Sequence, residues 1–461
     1  MNDSKVLLKV EDFRAISQAE IKLDGITVVA GVNGCGKSTL SKLLYWVYRG
    51  ATDFKVLADI QFRKDLEGVN KLVMLFVQIV QTAQHHFLEE QNNNEITTNN
   101  IDIKIQRMSY MTEVISILPD WHDLYRLEGV NQQDFIDFFD TAKQKLNEIG
   151  NEPYSAENII KIFNDIFDEK GIAIKKTENI SDVNIFDFLA DLTNKIFDEH
   201  KKNTSIKPRR FLDNQIKEIF HTKNLPNLLE ISENEFPIFK TDYEFLSEPY
   251  WIDNVIYIDT PMFFQNYGVE HWNDVNEKLK KQPKYYSDKI NTKEIDTLIK
   301  NEVLTGQAEI KFNELNDSFT FITPTGAEID LGDGATGIKA FAVLSLLVKN
   351  KSINDKTLLI LDEPEAHLHP QWIIEFGRLL TLIHKYIGAK IFVATHSPDM
   401  VQALRYIPNK EKIGEKVNFY LAKADENKNG QFIYQDLNGE IDDIFSSFNI
   451  SLDKLAKYGE D

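Results

Sequence analysis

Residues 31–38 read Gly-Val-Asn-Gly-Cys-Gly-Lys-Ser, and Thr39 follows. This is the spacing G-x-x-x-x-G-K-[ST] of a phosphate-binding loop. Its glycines let the backbone wrap close to phosphates with the N–H groups turned inward. Gly31, Asn33, Gly34, Cys35, Gly36, Lys37, Ser38 and Thr39 are therefore the expected nucleotide contacts. Lys37 should reach the β- and γ-phosphates of ATP, and Ser38 should ligate Mg²⁺. Cys35 stands at a variable loop position and carries no expected redox role. A second group closes an apolar run, Thr357-Leu-Leu-Ile-Leu-Asp362-Glu363. Asp362 would hold Mg²⁺ through water, and Glu363 would polarise an attacking water. Alone, such a pair is only an acidic strand end; its place more than 300 residues after the loop, and before Pro364, gives it weight. A third group is Thr395-His396-Ser397, after the apolar run 390–394. A histidine at that strand end can hydrogen-bond a γ-phosphate, although an isolated one is more often structural.

These groups need a sheet to hold them. Ile26 to Ala30 is a short apolar run, as a buried strand would be, and enters the glycine loop directly. "LSKLLYWVYRG" then reads as a helix. Upstream, residues 5–23 predict two further strands. "KTLLILDEPEAHLHPQWIIEFGRLLTLIHKYIGAKIFVATHSPDMVQALR" predicts strand, loop, helix, strand, loop, helix, which suits a parallel sheet. Val255 to Ile258 predicts another buried strand. Residues 307–331 predict short antiparallel strands with turns at Asn316-Asp317 and Thr325-Gly326. "VNFYLAKADENKNGQFIYQDL" predicts a hairpin, and a last helix follows.

Between the halves, apolar residues recur at helical spacing, as in "KLVMLFVQIVQTAQHHFLEE" and "NIFDFLADLTNKIFDEH". "EEQNNNEITTNN" interrupts them as an expected exposed loop. Heptads are not sustained, so a long coiled coil is not expected. The predicted organisation is an N-terminal head segment 1–54, a helical insertion 55–249 and a C-terminal head segment 250–461. No internal repeat is visible.

The chain of 461 residues has 42% hydrophobic and 27% charged residues, which suits a globular protein of two or three lobes. No secretory leader or membrane-length apolar run is visible, so a cytoplasmic location is expected. A single cysteine excludes an internal disulfide or a multi-cysteine metal site. The net charge of −20 repels nucleic acid on average.

Together, the glycine loop, Asp-Glu-Pro and Thr-His-Ser, in this order, resemble the ABC-type ATPase heads of the RecF, SMC and OLD-like (AAA15/AAA21) group. The resemblance covers about residues 1–54 and 250–461 and implies an α/β P-loop NTPase head. That head has a mixed sheet with flanking helices, an antiparallel β lobe and here a large helical insertion. It implies ATP and Mg²⁺ as cofactors and a head-to-head dimer, in which each head's signature motif caps the nucleotide of the other. "ATGIKAF" lies where that signature belongs, with Thr336 standing for its serine and Gly337 for its glycine. The departure from Ser-Gly-Gly-Gln leaves the cap's geometry open, and an ordinary N-capped helix is the other reading. Phe13-Arg14 resembles the group's "N-F-R" opening, whose basic residue lies near the nucleotide. Gln265 is a candidate for the usual glutamine loop, and a surface glutamine is the other reading.

The "ATGIK" variant, "VIYIDTP", the DEPEAHLHP tract and the insertion also resemble the ATPase subunit of Septu-type antiphage systems (PtuA-like). That resemblance implies a regulatory or sensor role beside a separately encoded nuclease, suspected to be of HNH type. No nuclease site is expected in this chain itself, since neither a Toprim pattern of Glu and Asp-x-Asp nor an HNH-like cluster is visible in the sequence. A RecF-like repair ATPase that binds DNA directly is the alternative. A transporter subunit is opposed by the long insertion and the missing Leu-Ser-Gly-Gly-Gln. His367 and His369 have no third partner for a metal. Two stretches could touch phosphate backbones: Lys201, Lys202, Lys207, Arg209 and Arg210, and Lys278, Lys280, Lys281 and Lys284 with Tyr285 and Tyr286. In so acidic a chain solvated charged faces are the favoured reading, nucleic-acid contact is expected to be indirect or within a complex, and no membrane is expected.

Overall fold

The computed structural model describes residues 5–91, 112, 116, 118–126, 131–147, 185–259, 270–280, 293–298, 309–313, 318–322, 328–330 and 336–448. The chain divides into two compact units, one of residues 1–54 with 207–461 and one of residues 55–206.

The first unit is built on a ten-stranded mixed sheet. Strands β1 (Val6–Phe13) and β2 (Ile16–Lys22) alternate buried and open residues, as a half-covered antiparallel pair should. Strand β3 (Ile26–Ala30) is buried throughout and leads into helix α1 (Lys37–Thr52). Further along come β4 (Leu228–Glu233), β5 (Phe236–Lys240) and β6 (Asn254–Ile258). Strands β7 (Glu309–Asn313), β8 (Ser318–Ile322) and β9 (Glu328–Asp330) form a separate antiparallel sheet. The two turns expected between these three strands lie outside the described residues. The main sheet is completed by β10 (Thr357–Asp362), β11 (Lys390–Thr395), β12 (Val417–Ala424) and β13 (Phe432–Asp436).

Its order is β5-β4-β1-β2-β13-β12-β3-β11-β10-β6. From β12 to β6 every pairing is parallel, and β10 and β11 are buried at all positions. The β5-β4-β1-β2 side is antiparallel. The mixed sheet with flanking helices and a separate antiparallel lobe is thus the expected fold class.

The helices follow in chain order. In the second unit, α2 (Phe54–Gln91), α3 (Leu118–Arg126), α4 (Gln132–Asn147) and α5 (Ile185–Ile206) carry the helical pattern. Aromatic edges knit its core: Trp121 meets Phe135, Phe138 and Phe139, and Phe76 meets Phe186. The first unit adds α6 (Arg209–Ile219), α7 (Glu270–Lys280), α8 (Lys293–Leu298), α9 (Thr336–Lys349), α10 (Pro370–Ile387), α11 (Pro398–Lys410) and α12 (Asp442–Phe448). Among the described residues, no helix is long and apolar enough to cross a membrane.

The sheet reaches further upstream than the helical pattern suggests. Residues 207–249, placed in the insertion by their spacing, pack with the first unit. They contain α6 and the β4–β5 hairpin, which pairs with β1 from Val6↔Glu233 to Glu11↔Leu228. The hairpin turns on Asn234 and Glu235, both with positive φ (48° and 71°). An Asn-Glu pair makes this turn without the glycine that usually marks one.

Candidate active site

Four parallel strands end at one edge of the sheet, and the candidate residues follow those ends. The register pairs Asp362 with Ala394, Thr395 with Ala30, and Leu361 with Ile258. The glycine loop after β3, the acids after β10, the histidine after β11 and Asp259 after β6 therefore share one rim. Open α/β sheets bind ligands at this carboxyl edge.

The loop between β3 and α1 is shaped by its glycines. Gly34 and Gly36 have φ of 83° and 102°, left-handed values that other residues adopt with strain. A Cβ at Gly31 would lie 2.8 Å from Ala422 Cβ and 2.9 Å from Cys35 Sγ, and one at Gly36 would lie 2.8 Å from Ile16 Cγ1. Gly36 caps α1 with no side chain, so the first N–H groups of the helix receive no side-chain acceptor. Such a terminus attracts anions. Lys37 is buried, and its Nζ donates to the carbonyls of Gly31 (3.0 Å) and Val32 (3.2 Å), bridging the loop. Cys35 is fully buried and its carbonyl accepts from Tyr434 Oη at 2.9 Å. Asn33 and Ser38 are exposed, whereas Thr39 is buried.

Asp362 is buried, and its carboxyl is pushed up to about 6, first by burial and then by the nearby charges of Glu363 and Asp259. Hydrogen bonds from Ser38 and Tyr257 oppose that rise. The Tyr257 hydroxyl lies 3.3 Å from Asp362 Oδ2. Burial and the Asp362 charge hold the Tyr257 phenol well above its usual range, so it remains a donor. Glu363 adopts a left-handed backbone (φ 52°) with its N–H on the Ala394 carbonyl at 2.8 Å. Its Oε1 stands 3.3 Å from His396 Nδ1. The histidine side chain is 42% exposed at the rim.

The glycine cradle and uncapped helix terminus suit a polyphosphate. The oxygen-only set of Ser38 and Asp362 suits Mg²⁺, a hard cation. Among the described residues no group of three or more His, Cys, Asp or Glu could hold a metal by itself.

The other expected residues lie elsewhere. Arg14 is an exposed turn residue between β1 and β2 (φ 54°), with its guanidinium over the Phe220 ring at 5.4 Å. Thr336 and Gly337 open α9. Gly337 is buried where a Cβ would lie 2.6 Å from the Trp372 ring and 3.2 Å from Leu368 Cδ2. The need for glycine here is thus already met by packing of α9 on α10. Gln265, Lys281, Lys284, Tyr285 and Tyr286 lie outside the described residues. His369 caps α10, its Nδ1 accepting from Gln371 N–H at 3.4 Å. Several of the basic residues are engaged within the chain. Lys207 pairs with Glu248 at 2.8 Å, Arg209 with Asp213 at 3.0 Å and Lys278 with Asp274 at 2.6 Å.

Sequence reasoning missed Asp259 and Glu365. Asp259 accepts from Trp272 Nε1 (2.8 Å) and contacts His271 Nε2 (2.9 Å). It ends "VIYID" just as Asp362 ends "LLILD", and that repeated pattern was the available signal. Glu365 has no such signal, because its partners arrive from β11.

No curated protein matches the chain. Among solved structures, the SMC head domain from Thermotoga maritima is 15% identical with a TM-score of 0.26. That match covers 45% of this chain and 64%, less than two thirds, of that one. The Smc head domain with an extended coiled coil bound to the C-terminal domain of ScpA, from Pyrococcus furiosus, is 9% identical with a TM-score of 0.33. It covers 99% of this chain and 100% of that one. The Smc head domain with a coiled coil and joint from Pyrococcus yayanosii is 10% identical with a TM-score of 0.35, over 97% and 99% of the two chains. The AAA_15 family model, described as an AAA ATPase domain, matches residues 6–401. With its glycine loop, acidic strand end and rim histidine on one sheet edge, the chain belongs to the AAA_15 family of AAA ATPase domains.

Proposed function

We propose that this chain binds ATP with Mg²⁺ at the β3–α1 loop and hydrolyses it to ADP and phosphate. The observation that carries the reading is the meeting of two pairs at one rim: Ser38 with Asp362, and Glu363 with His396. The N–H groups of the loop and of the α1 terminus bind the phosphates. Lys37 turns its ammonium from the Gly31 and Val32 carbonyls to the β- and γ-phosphates. Ser38 and Asp362 hold Mg²⁺, which when bound offsets phosphate charge. Glu363 draws a proton from the attacking water, and His396 donates to the γ-phosphate.

Two copies close head to head, with Thr336 and Gly337 of one copy capping the nucleotide of the other. The resemblance to Septu-type ATPase subunits supports a regulatory role in antiphage defence beside a separately encoded nuclease. In that role the helical unit senses the trigger or holds the nuclease.

Glu363→Gln tests the chemistry and the assembly together. It is expected to keep ATP affinity, to lose about 10²-fold or more in hydrolysis, and to gain mass by light scattering with ATP·Mg²⁺. Adding Thr336→Ala is expected to abolish that gain. Hydrolysis at the wild-type rate would sink the assignment of Glu363, and a mass indifferent to ATP would sink the head-to-head dimer. Tight, salt-sensitive DNA binding by the isolated chain would favour direct DNA recognition instead.

A further inference from the structure

The loop after Asp362 carries a second carboxylate that this reaction does not use. The Glu365 side chain is only 4% exposed, whereas His396 beside it is 42% exposed. Burying a carboxylate is unfavourable unless hydrogen bonds compensate. Here a single turn supplies them, all to Oε1, while Oε2 is buried without a hydrogen-bond partner among the described residues. Glu365 Oε1 accepts from the Thr395 hydroxyl at 2.5 Å and from the His396 N–H at 3.0 Å, and lies 3.7 Å from His396 Nδ1.

The chain extends further. Ser397 N–H donates to Thr395 Oγ1 at 3.0 Å, and Ser397 Oγ accepts from Met400 N–H at 3.3 Å to cap α11. The loop that presents Glu365 is itself tied down. Glu363 N–H bonds the Ala394 carbonyl at 2.8 Å, Ala366 N–H bonds the Glu363 carbonyl and Leu368 N–H bonds the Glu365 carbonyl, both at 3.0 Å. Thr395 and His396 are thus held to the β10 loop through Glu365, and the preceding Ala394 through the Glu363 N–H. Glu363 Oε1 approaches the same imidazole nitrogen, Nδ1, at 3.3 Å.

We propose that Glu365 is a positioning residue that fastens the Thr395–Ser397 turn to the β10 loop and so holds the His396 imidazole beside Glu363. The proposal rests on the ATPase reading above. Its work is done by hydrogen bonds to the main chain and a hydroxyl, so a neutral acceptor of the same shape should serve. It acts through His396, so its effect should vanish when His396 has no imidazole.

The test is steady-state ATPase kinetics of the full chain carrying Glu365→Ala, Glu365→Gln, His396→Ala and the Glu365→Ala/His396→Ala pair. Glu365→Ala is expected to lower kcat by about 10-fold or more with KM for ATP within about twofold. Glu365→Gln is expected to recover most of that loss. The pair is expected to be no slower than His396→Ala alone. Additive losses, a Gln variant as slow as Ala, or an unaffected Glu365→Ala would each overturn the proposal. So would a His396→Ala enzyme at wild-type rate. If Glu365→Ala does not fold, Thr395→Val removes one tether at nearly constant volume. It should lower kcat in the wild-type background and leave kcat unchanged in the His396→Ala background; any other pattern overturns the proposal. Failure of the ATPase reading itself would show separately, as hydrolysis that survives Lys37→Ala and Glu363→Gln.

Discussion

Burial sets Asp362 against its own charge. Its carboxyl is raised from 3.8 to about 6 in the folded chain, so between about pH 4 and pH 6 the native state binds more protons than the unfolded state. Stability of the nucleotide-free protein therefore falls as pH rises through that window. A rise of this size corresponds to about 3 kcal/mol. Asp362→Asn keeps one acceptor oxygen for the Ser38 and Tyr257 hydroxyls and removes the charge. It is expected to unfold later than wild type by about 1–3 kcal/mol at pH 7.5, with the gap closing below about pH 4. Thermal unfolding at the two pH values measures this, and a gap that does not change with pH would refute it. The same variant should lose Mg²⁺-dependent hydrolysis, which separates the role of the charge in the site from its cost to the fold. Lys37→Ala removes the ammonium that bridges the Gly31 and Val32 carbonyls. It is expected to weaken ATP binding at least 10-fold, from one lost charge-assisted contact. Unchanged affinity by titration would remove Lys37 from the site. At this scale the site was largely legible in the sequence, because eight adjacent residues carry the loop and two apolar runs announce their terminal acid and histidine. Glu365 was not legible: its acceptor role exists only where β11 brings Thr395 and His396 to it.

Elements decide what Gly337 means. A signature glycine and a packing glycine look alike in sequence, and here the α9–α10 contact leaves no room for a Cβ against Trp372. Gly337→Ala is expected to destabilise the protein by about 1–3 kcal/mol through overpacking. Adding Trp372→Leu should return part of that loss, as neighbours sharing one space are not additive. Strict additivity in thermal unfolding would show that the ring is not what excludes the side chain. For this reason Thr336, and not Gly337, is the cleaner probe of a cap that acts between copies. The strands of the parallel block were readable as short apolar runs. The β4–β5 hairpin was not, because Asn234 and Glu235 reach positive φ without glycine and the preceding α6 prolongs the helical pattern.

At the scale of the whole chain, the sheet-bearing unit is interrupted in sequence but nearly continuous in space. The Phe54 and Phe211 rings lie 5.5 Å apart, and Lys207 Nζ donates to the Ala51 carbonyl at 3.4 Å. A flexible linker of about four to six Gly and Ser residues spans such a gap. Replacing residues 55–206 with that linker is expected to leave a unit that unfolds cooperatively and binds ATP with affinity within about threefold of the full chain. Loss of a cooperative transition would mean that the sheet-bearing unit depends on the helical one. If the shortened chain also hydrolyses ATP, the helical unit is not needed for the chemistry, which the proposed sensor role requires.

The sequence by itself determined what depends on neighbours along the chain. The glycine loop needs its residue types in immediate succession, and an apolar run closed by Asp-Glu or by Thr-His-Ser announces a strand end. The tertiary structure alone decided which ends meet. Parallel register sets Asp362 beside Ala394 and aligns β6 so that Asp259 joins the rim, and it brings Ser38 to an acid more than 300 residues away. It also buried Glu365 under the histidine turn and pressed Gly337 against Trp372. The physical reason is that hydrogen bonds and van der Waals contact act over a few ångströms of space, whatever the separation along the chain.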